Sequence, residues 1–250
     1  MSSDNKNSAV LITGASRGIG LAIARAFAKE GYPLYLCCKT NIDKLKETAE
    51  SLHSEYGVSC TAFKCDVGDE ASVAGMFSEM EASPLGAPTA VINNAGIAYY
   101  GLLTDMTSSD WKNVMSTNLD SVFYISNHAI PYMLKEGGGK IINISSVWGS
   151  VGASCEVAYS ASKGGVNAFT KALAKELAPS NIQVNAISCG AIDTEMNSSH
   201  LSPEELSDLA SEIPADRLGK PEEVARLALM LMTSPEYLTG QIITMDGGWI

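Results

Sequence analysis

Short apolar runs separated by longer mixed segments set the pattern of this chain. Ala9-Val10-Leu11-Ile12, Pro33–Cys38, Val58–Lys64, Ala90-Val91-Ile92, Lys140–Ile144, Gln183–Ser188 and Gln241–Met245 are each a few residues long and rich in strand formers. Near-continuous hydrophobicity over so short a stretch fits a parallel strand buried on both faces. Between these runs the spacing changes. Leu21, Ile23, Ala24, Phe27 and Ala28 recur about every 3.6 residues until Gly31, and the segments Ser109–Leu134 and Val157–Ala178 also read as helices. Strands alternating with helices predict βαβ units in one α/β domain, a doubly wound parallel sheet flanked by helices on both faces. With 250 residues and 46% hydrophobic content, the chain can bury the core that such a domain needs, so a single domain over 1–250 suffices.

Ligands bind such sheets at the carboxyl ends of the strands. The first strand runs straight into Thr13-Gly14-Ala15-Ser16-Arg17-Gly18-Ile19-Gly20 and then into the first helical pattern. Glycines there let the backbone turn and a ligand approach, while the helix start offers free N–H groups and a positive dipole end to a pyrophosphate. The second strand ends at Cys37-Cys38 without the carboxylate that would bind an adenosine 2′-hydroxyl. Lys39 follows it, and Arg17 lies in the glycine turn, two cations suited to a 2′-phosphate. The expected cofactor is therefore NADP(H). Asp66 and Val67, just past the third strand, fall at the same edge as the glycine turn and are expected at the cofactor. Asn93, Ala95 and Gly96 after the fourth are expected to shape the sheet edge against the cofactor.

Further along, Tyr159 and Lys163 stand one helical turn apart in Tyr159-Ser160-Ala161-Ser162-Lys163, with Ser146 upstream at the end of the fifth strand. A cation beneath a phenol favours the phenolate and is expected to lower the Tyr159 pKa from about 10. Phenol, hydroxyl and ammonium together are the parts of a proton-transfer site.

Taken in order, Thr13 to Gly20, Asp66, Asn93-Asn94-Ala95-Gly96, Asn118 in Ser116-Thr117-Asn118, and Ser146 with Tyr159 and Lys163 resemble the short-chain dehydrogenase/reductase family, closest in pattern to 3-oxoacyl-[acyl-carrier-protein] reductases. The resemblance covers nearly the whole chain and implies a Rossmann-type fold and a homo-oligomer, tetramer or dimer. It implies NADPH-dependent reduction of a ketone: Tyr159 gives a proton to the carbonyl oxygen, and Ser146 orients that oxygen. Lys163 lowers the Tyr159 pKa and binds the nicotinamide ribose, and Asn118 holds a water that links the lysine to solvent. The family stretch Pro-Gly-x-Ile-x-Thr appears as Cys189-Gly190-Ala191-Ile192-Asp193-Thr194, so Gly190, Ile192 and Thr194 are expected at the cofactor. Cysteine in place of proline is expected to loosen that backbone. The segment from Met196 to Ile213 resembles a mobile lid, with Met196 at the substrate. The C-terminal Thr239–Ile250 resembles tails that pack between subunits.

Charge sharpens the substrate question. A net charge of −11 argues against nucleic acid as a partner, and no apolar run reaches membrane-spanning length. The lead Met1–Asn7 reads as polar rather than as a charged-then-apolar signal, so the expected location is the cytoplasm. Cysteines 37, 38, 60, 65, 155 and 189 show no metal-binding spacing, and free thiols are expected, with Cys155 and Cys189 near the active site. His53, His128 and His200 are scattered singly. Where the family docks an acidic carrier protein, this chain has Gly137-Gly138-Gly139 and retains only Lys135, Lys140, Lys171 and Lys175 nearby. Glu156 would favour a cationic substrate if it faces the pocket. The loop Ser154-Cys155-Glu156-Val157 also resembles the subgroup that reduces a 5-aminopentanone group on elongation factor P. A third reading keeps the fold as a catalytically silent NADP-sensing regulator, which could dispense with Ser146, Tyr159 and Lys163.

Overall fold

The computed structural model describes residues 9–250, so the polar lead Met1–Asn7 lies outside the described residues. Strands β1 (Val10–Thr13), β2 (Leu34–Cys38), β3 (Cys60–Lys64), β4 (Ala90–Asn93), β5 (Gly139–Ser146), β6 (Ile182–Cys189) and β7 (Ile242–Met245) form one sheet in the order β3-β2-β1-β4-β5-β6-β7. Every pairing is parallel. All seven apolar runs became strands, the longest difference being β5 and β6, which extend to Ser146 and Cys189.

Around the sheet lie α1 (Gly18–Lys29), α2 (Ile42–Tyr56), α3 (Glu70–Glu81), α4 (Ser108–Met115), α5 (Ser121–Lys135), α6 (Trp148–Val151), α7 (Val157–Leu177), α8 (Glu195–Ser198), α9 (Pro203–Glu212) and α10 (Pro221–Met232). Successive strand residues point to opposite faces, so each strand feeds two cores. Val10, Ile12, Leu34 and Leu36 pack with Ile23 and Phe27 of α1, Leu45 and Leu52 of α2, and Val224 and Leu231 of α10. Leu11, Tyr35, Val91, Ile141 and Val184 face the other way, against Phe77 of α3, Ile125 and Met133 of α5, and Leu177 of α7. A Rossmann-type α/β architecture results. Among the described residues no helix is long and apolar enough to cross a membrane.

Strand β1 pairs with β2 on one side and β4 on the other, so the chain's winding reverses at β1. The crevice at that reversal lies between the glycine turn and Asn94-Ala95-Gly96, which puts the ligand-binding edge of the fold there. The expected helix Ser109–Leu134 is instead three pieces: α4, a wide π-type turn at Ser116–Asp120, and α5. The expected lid over 196–213 is likewise two helices, α8 and α9, and α9 is closed by a reciprocal Ser202–Glu205 cap.

Candidate active site

Sequence dictates the glycine turn in two places. Gly14 has φ +64°, and a Cβ on it would lie 2.9 Å from the Ala95 Cα. At Gly20 a Cβ would lie 2.4 Å from the Gly14 carbonyl oxygen and 2.6 Å from Asn94 Nδ2. Asn94 clamps the turn to β4 by donating from Nδ2 to the carbonyls of Thr13, at 2.9 Å, and Gly14, at 3.2 Å. Thr13 Oγ1 in return accepts from the Asn94 and Ala95 N–H groups, each at 3.0 Å. No side chain caps the first turn of α1, which leaves its N–H groups for a ligand.

A cavity of about 620 Å³ opens from this turn along the carboxyl edge of the sheet. Gly14, Ser16, Arg17, Gly18, Ile19, Lys39, Asp66, Val67, Ala95, Gly96, Ser146, Glu156, Tyr159, Lys163, Gly190, Ile192, Thr194 and Met196 all line it. Residues expected at one site from scattered motifs are thus brought together. Gly20, Asn93 and Asn118 do not line it. Gly20 is consumed by the close packing just described, and Asn93 points into the interior, where its Nδ2 donates to Asn143 Oδ1 at 2.9 Å. Asn94, one residue on, is the amide that reaches the glycine turn and lines the cavity.

Asn118 sits in the π-type turn and is buried. Its Oδ1 accepts from the Ile97 N–H at 2.8 Å, and its Nδ2 donates to the Ile97 carbonyl at 2.9 Å and to Ser162 Oγ at 3.0 Å. The amide therefore ties three chain segments together beside the site. The Lys163 ammonium is close by, and both it and Asn118 Oδ1 approach Gly96.

On the floor of the cavity Ser146 and Tyr159 lie together, and the Ser146 hydroxyl accepts from the Trp148 N–H at 3.2 Å. Lys163 Nζ donates to the Ile144 carbonyl at 2.8 Å and lies over the Tyr159 ring, 5.6 Å from its centroid. The expected lowering of the Tyr159 pKa is corrected by burial. Burial raises the Tyr159 phenol well above its ordinary value, Cys189 and Glu156 add to the rise, and the neighbouring Ser146 hydroxyl opposes it only partly. Burial also pulls the Lys163 ammonium down to about 8. Desolvation is the largest cause in both, with Lys163 buried and Tyr159 half-buried.

Cys189 lines the same floor, its thiol pushed up to about 12 by burial. Its backbone is not loosened. Cys189 pairs with Ser146 and Met245 in the sheet, and its carbonyl accepts from the Val147 N–H at 3.0 Å. Cys155 is exposed and outside the lining, with φ +62°. Beyond it, Glu156 enters the cavity, where burial raises its carboxyl to about 7. Tyr100, Trp148 and Trp249 complete that end, Trp148 meeting Trp249 at 4.9 Å between ring centroids. The sequence reading did not assign these aromatics. Trp148, two residues past Ser146, was findable by proximity, whereas Trp249 arrives only through the fold.

The opposite end is charged. Arg17 pairs with Glu195 at 2.8 Å and Lys39 with Asp66 at 2.7 Å. Cavity size, the glycine turn and the uncapped α1 together fit an elongated ligand with a pyrophosphate at its middle. Among the described residues no cluster of His, Cys, Asp and Glu is arranged to hold a metal ion.

Comparison with known proteins agrees with this geometry. The family described as Enoyl-(Acyl carrier protein) reductase matches residues 14–250. The uncharacterized oxidoreductase YmfI of Bacillus subtilis is 38% identical over 97% of this chain and 99% of its own. The 3-oxoacyl-[acyl-carrier-protein] reductase FabG of Thermotoga maritima is 39% identical over 96% of both chains. A candidate gluconate dehydrogenase from Agrobacterium tumefaciens superposes with a TM-score of 0.92 at 32% identity, covering 98% of this chain and 97% of that one. Glycine turn, phenol, hydroxyl and lysine at one sheet edge, matched over the full fold, place the chain in the short-chain dehydrogenase/reductase family, oxidoreductases that use nicotinamide cofactors on alcohol and ketone groups.

Proposed function

We propose that this protein reduces a ketone to a secondary alcohol at the expense of NADPH, in the manner of 3-oxoacyl-[acyl-carrier-protein] reductases. The observation that carries the reading is that Ser146, Tyr159 and Lys163 line the floor of the same cavity that begins at the glycine turn. Bound reduced nicotinamide supplies the hydride for the carbonyl carbon. Tyr159 donates the proton to the carbonyl oxygen, and Ser146 orients that oxygen. Burial keeps the phenol protonated across the neutral range, which is the form a reduction consumes. Lys163, held by the Ile144 carbonyl, lines the cavity, where its ammonium would meet the nicotinamide ribose. Asn118 is a positioning residue, because it fixes Ile97 and Ser162 rather than meeting the ligand.

Residues 14–19 would hold the pyrophosphate, with Asp66, Val67, Ala95 and Gly96 at the adenosine and Gly190, Ile192 and Thr194 at the nicotinamide end. Arg17 and Lys39 support NADPH over NADH, since β2 ends without a carboxylate. Placement in the cytoplasm as a homotetramer or homodimer rests on the family resemblance.

A second reading, an amine-bearing ketone as substrate, is favoured by Glu156. Its carboxyl lines the cavity with Tyr100, Trp148 and Trp249, a setting in which a substrate cation would restore its ionised form. Carrier-protein docking has less support. Lys140, one of four lysines near that face, donates its ammonium to the Ser234 carbonyl at 2.8 Å instead of presenting it.

The test is NADPH and NADH oxidation with an acetoacetyl thioester and an amine-bearing ketone, using wild type and Glu156→Gln. The main reading expects a lower KM for NADPH with turnover of the thioester. The second expects faster turnover of the amine-ketone, lost in Glu156→Gln. A lower KM for NADH overturns the cofactor assignment.

A further inference from the structure

The outer end of the cavity holds a conflict of charge. Arg17, Lys39 and Lys163 are the basic residues of the lining, and Lys163 belongs to the floor, so Arg17 and Lys39 are the cations left for an adenosine phosphate. Both are already engaged by carboxylates of the same lining, Glu195 and Asp66. The two carboxylates are not held alike. Asp66 is fixed by its own turn, its Oδ1 accepting from the Gly68 N–H at 3.1 Å. Glu195 reaches Arg17 from a different element, the first residue of α8, and among the described residues its carboxylate makes no other hydrogen bond. The preceding Thr194 lays its methyl group over Gly18, so the start of α8 is seated directly on the glycine turn.

We propose that Glu195 is a specificity-determining residue for the cofactor: it occupies Arg17 in a bridge that a 2′-phosphate must break and a 2′-hydroxyl need not. This rests on the reading of Arg17 and Lys39 as the 2′-phosphate site. A phosphate monoester carries about two negative charges, so it competes for Arg17 and is repelled by the carboxylate it displaces. An unphosphorylated adenosine leaves the bridge intact. Glu195 therefore narrows the discrimination that Arg17 and Lys39 create. Its effect is bounded by the strength of a solvated ion pair, since the two side chains are 63% and 61% exposed.

The test is calorimetric binding of adenosine 2′,5′-bisphosphate and of adenosine 5′-monophosphate, ligands with no nicotinamide, to wild type, Glu195→Gln and Glu195→Ala. Wild type is expected to prefer the bisphosphate. Each substitution is expected to tighten the bisphosphate roughly two- to five-fold and leave the monophosphate unchanged. Wild-type preference with no gain in either variant, or with an equal gain for both ligands, overturns the role of Glu195 while the 2′-phosphate site stands. Absence of any wild-type preference overturns the 2′-phosphate site, and the role of Glu195 with it.

Discussion

The two ends of the cavity obey different electrostatics. At the floor, Ser146 and Lys163 are buried, and the energies of Tyr159, Lys163 and Cys189 are ruled by their removal from water. At the outer corner, Arg17, Glu195 and Lys39 are mostly solvated, and the strength of their pairs is limited by screening. A buried floor can hold a proton donor in one ionisation state and one position. A solvated corner can exchange partners at small cost, which suits recognition of a phosphate that must enter and leave. The difference teaches that spacing alone misjudges a buried pair: the Tyr159–Lys163 turn correctly places the cation near the phenol, yet burial reverses the expected direction of the Tyr159 shift.

The floor should fail hardest. Tyr159→Phe removes the proton donor and leaves the ring and its packing, so kcat should fall about a thousandfold while the Kd for NADPH stays within about twofold. Rapid-quench turnover beside fluorescence titration measures both. A variant retaining a tenth of wild-type kcat would show that the proton comes from elsewhere.

Next in size is Asn118→Ala. It strands the Ile97 N–H and carbonyl beside the floor and leaves the Ser162 hydroxyl with only the Tyr159 carbonyl, and groups left unpaired away from water cost about 1–3 kcal/mol each before relaxation. A loss of about 3 kcal/mol in urea unfolding is expected, with the amplitude of the kcat loss following the folded fraction. A normal unfolding midpoint would mean that the widened turn at Ser116–Asp120 is held by backbone alone.

Most of this contrast was legible in the sequence, though not its sign. Seven apolar runs foretold seven strands because a strand buried on both faces has no polar face to disguise it. The motifs at strand ends converged for the same reason, since parallel strands bring all their carboxyl ends to one edge. What escaped depended on three-dimensional neighbours. Nothing local says that Asn93 faces Asn143 while Asn94 clamps the glycine turn, or that Cys189 continues β6 in register with Ser146. Trp249 reaches the cavity from the far end of the chain, and the Arg17–Glu195 pair joins residues 178 positions apart.

Glu156 lies between the two regimes, partly buried at the substrate end, and gives a pH test with a definite sign. Its folded pKa of about 7 is above the ordinary 4.5 because burial penalises the carboxylate. The stability it contributes is fully present below pH 4.5 and is lost as pH rises through 7. Glu156→Gln, neutral throughout, should match wild type at pH 4.5 and be more stable at pH 8, by about 1 kcal/mol once solvent screening is allowed for. Thermal unfolding at the two values decides it. Equal Tm differences at both would mean that the carboxyl is solvated and does not feel the cavity.

Salt separates the two ends most gently. Screening shortens to about 3 Å at 1 M ionic strength, which weakens a solvated phosphate–cation contact and scarcely touches buried dipoles. Raising the salt from about 0.05 to 0.5 M should increase the KM for NADPH roughly two- to threefold and leave kcat and the KM for NADH nearly constant. The discriminating quantity is the ratio of the two KM values. If NADH responds as strongly as NADPH, then salt is acting on the pyrophosphate at the glycine turn that both dinucleotides share, and the corner formed by Arg17 and Lys39 has no special hold on the 2′-phosphate. If kcat falls instead, then screening reaches the floor, and Lys163 is more open to solvent than its burial beneath Gly96 and Tyr159 implies.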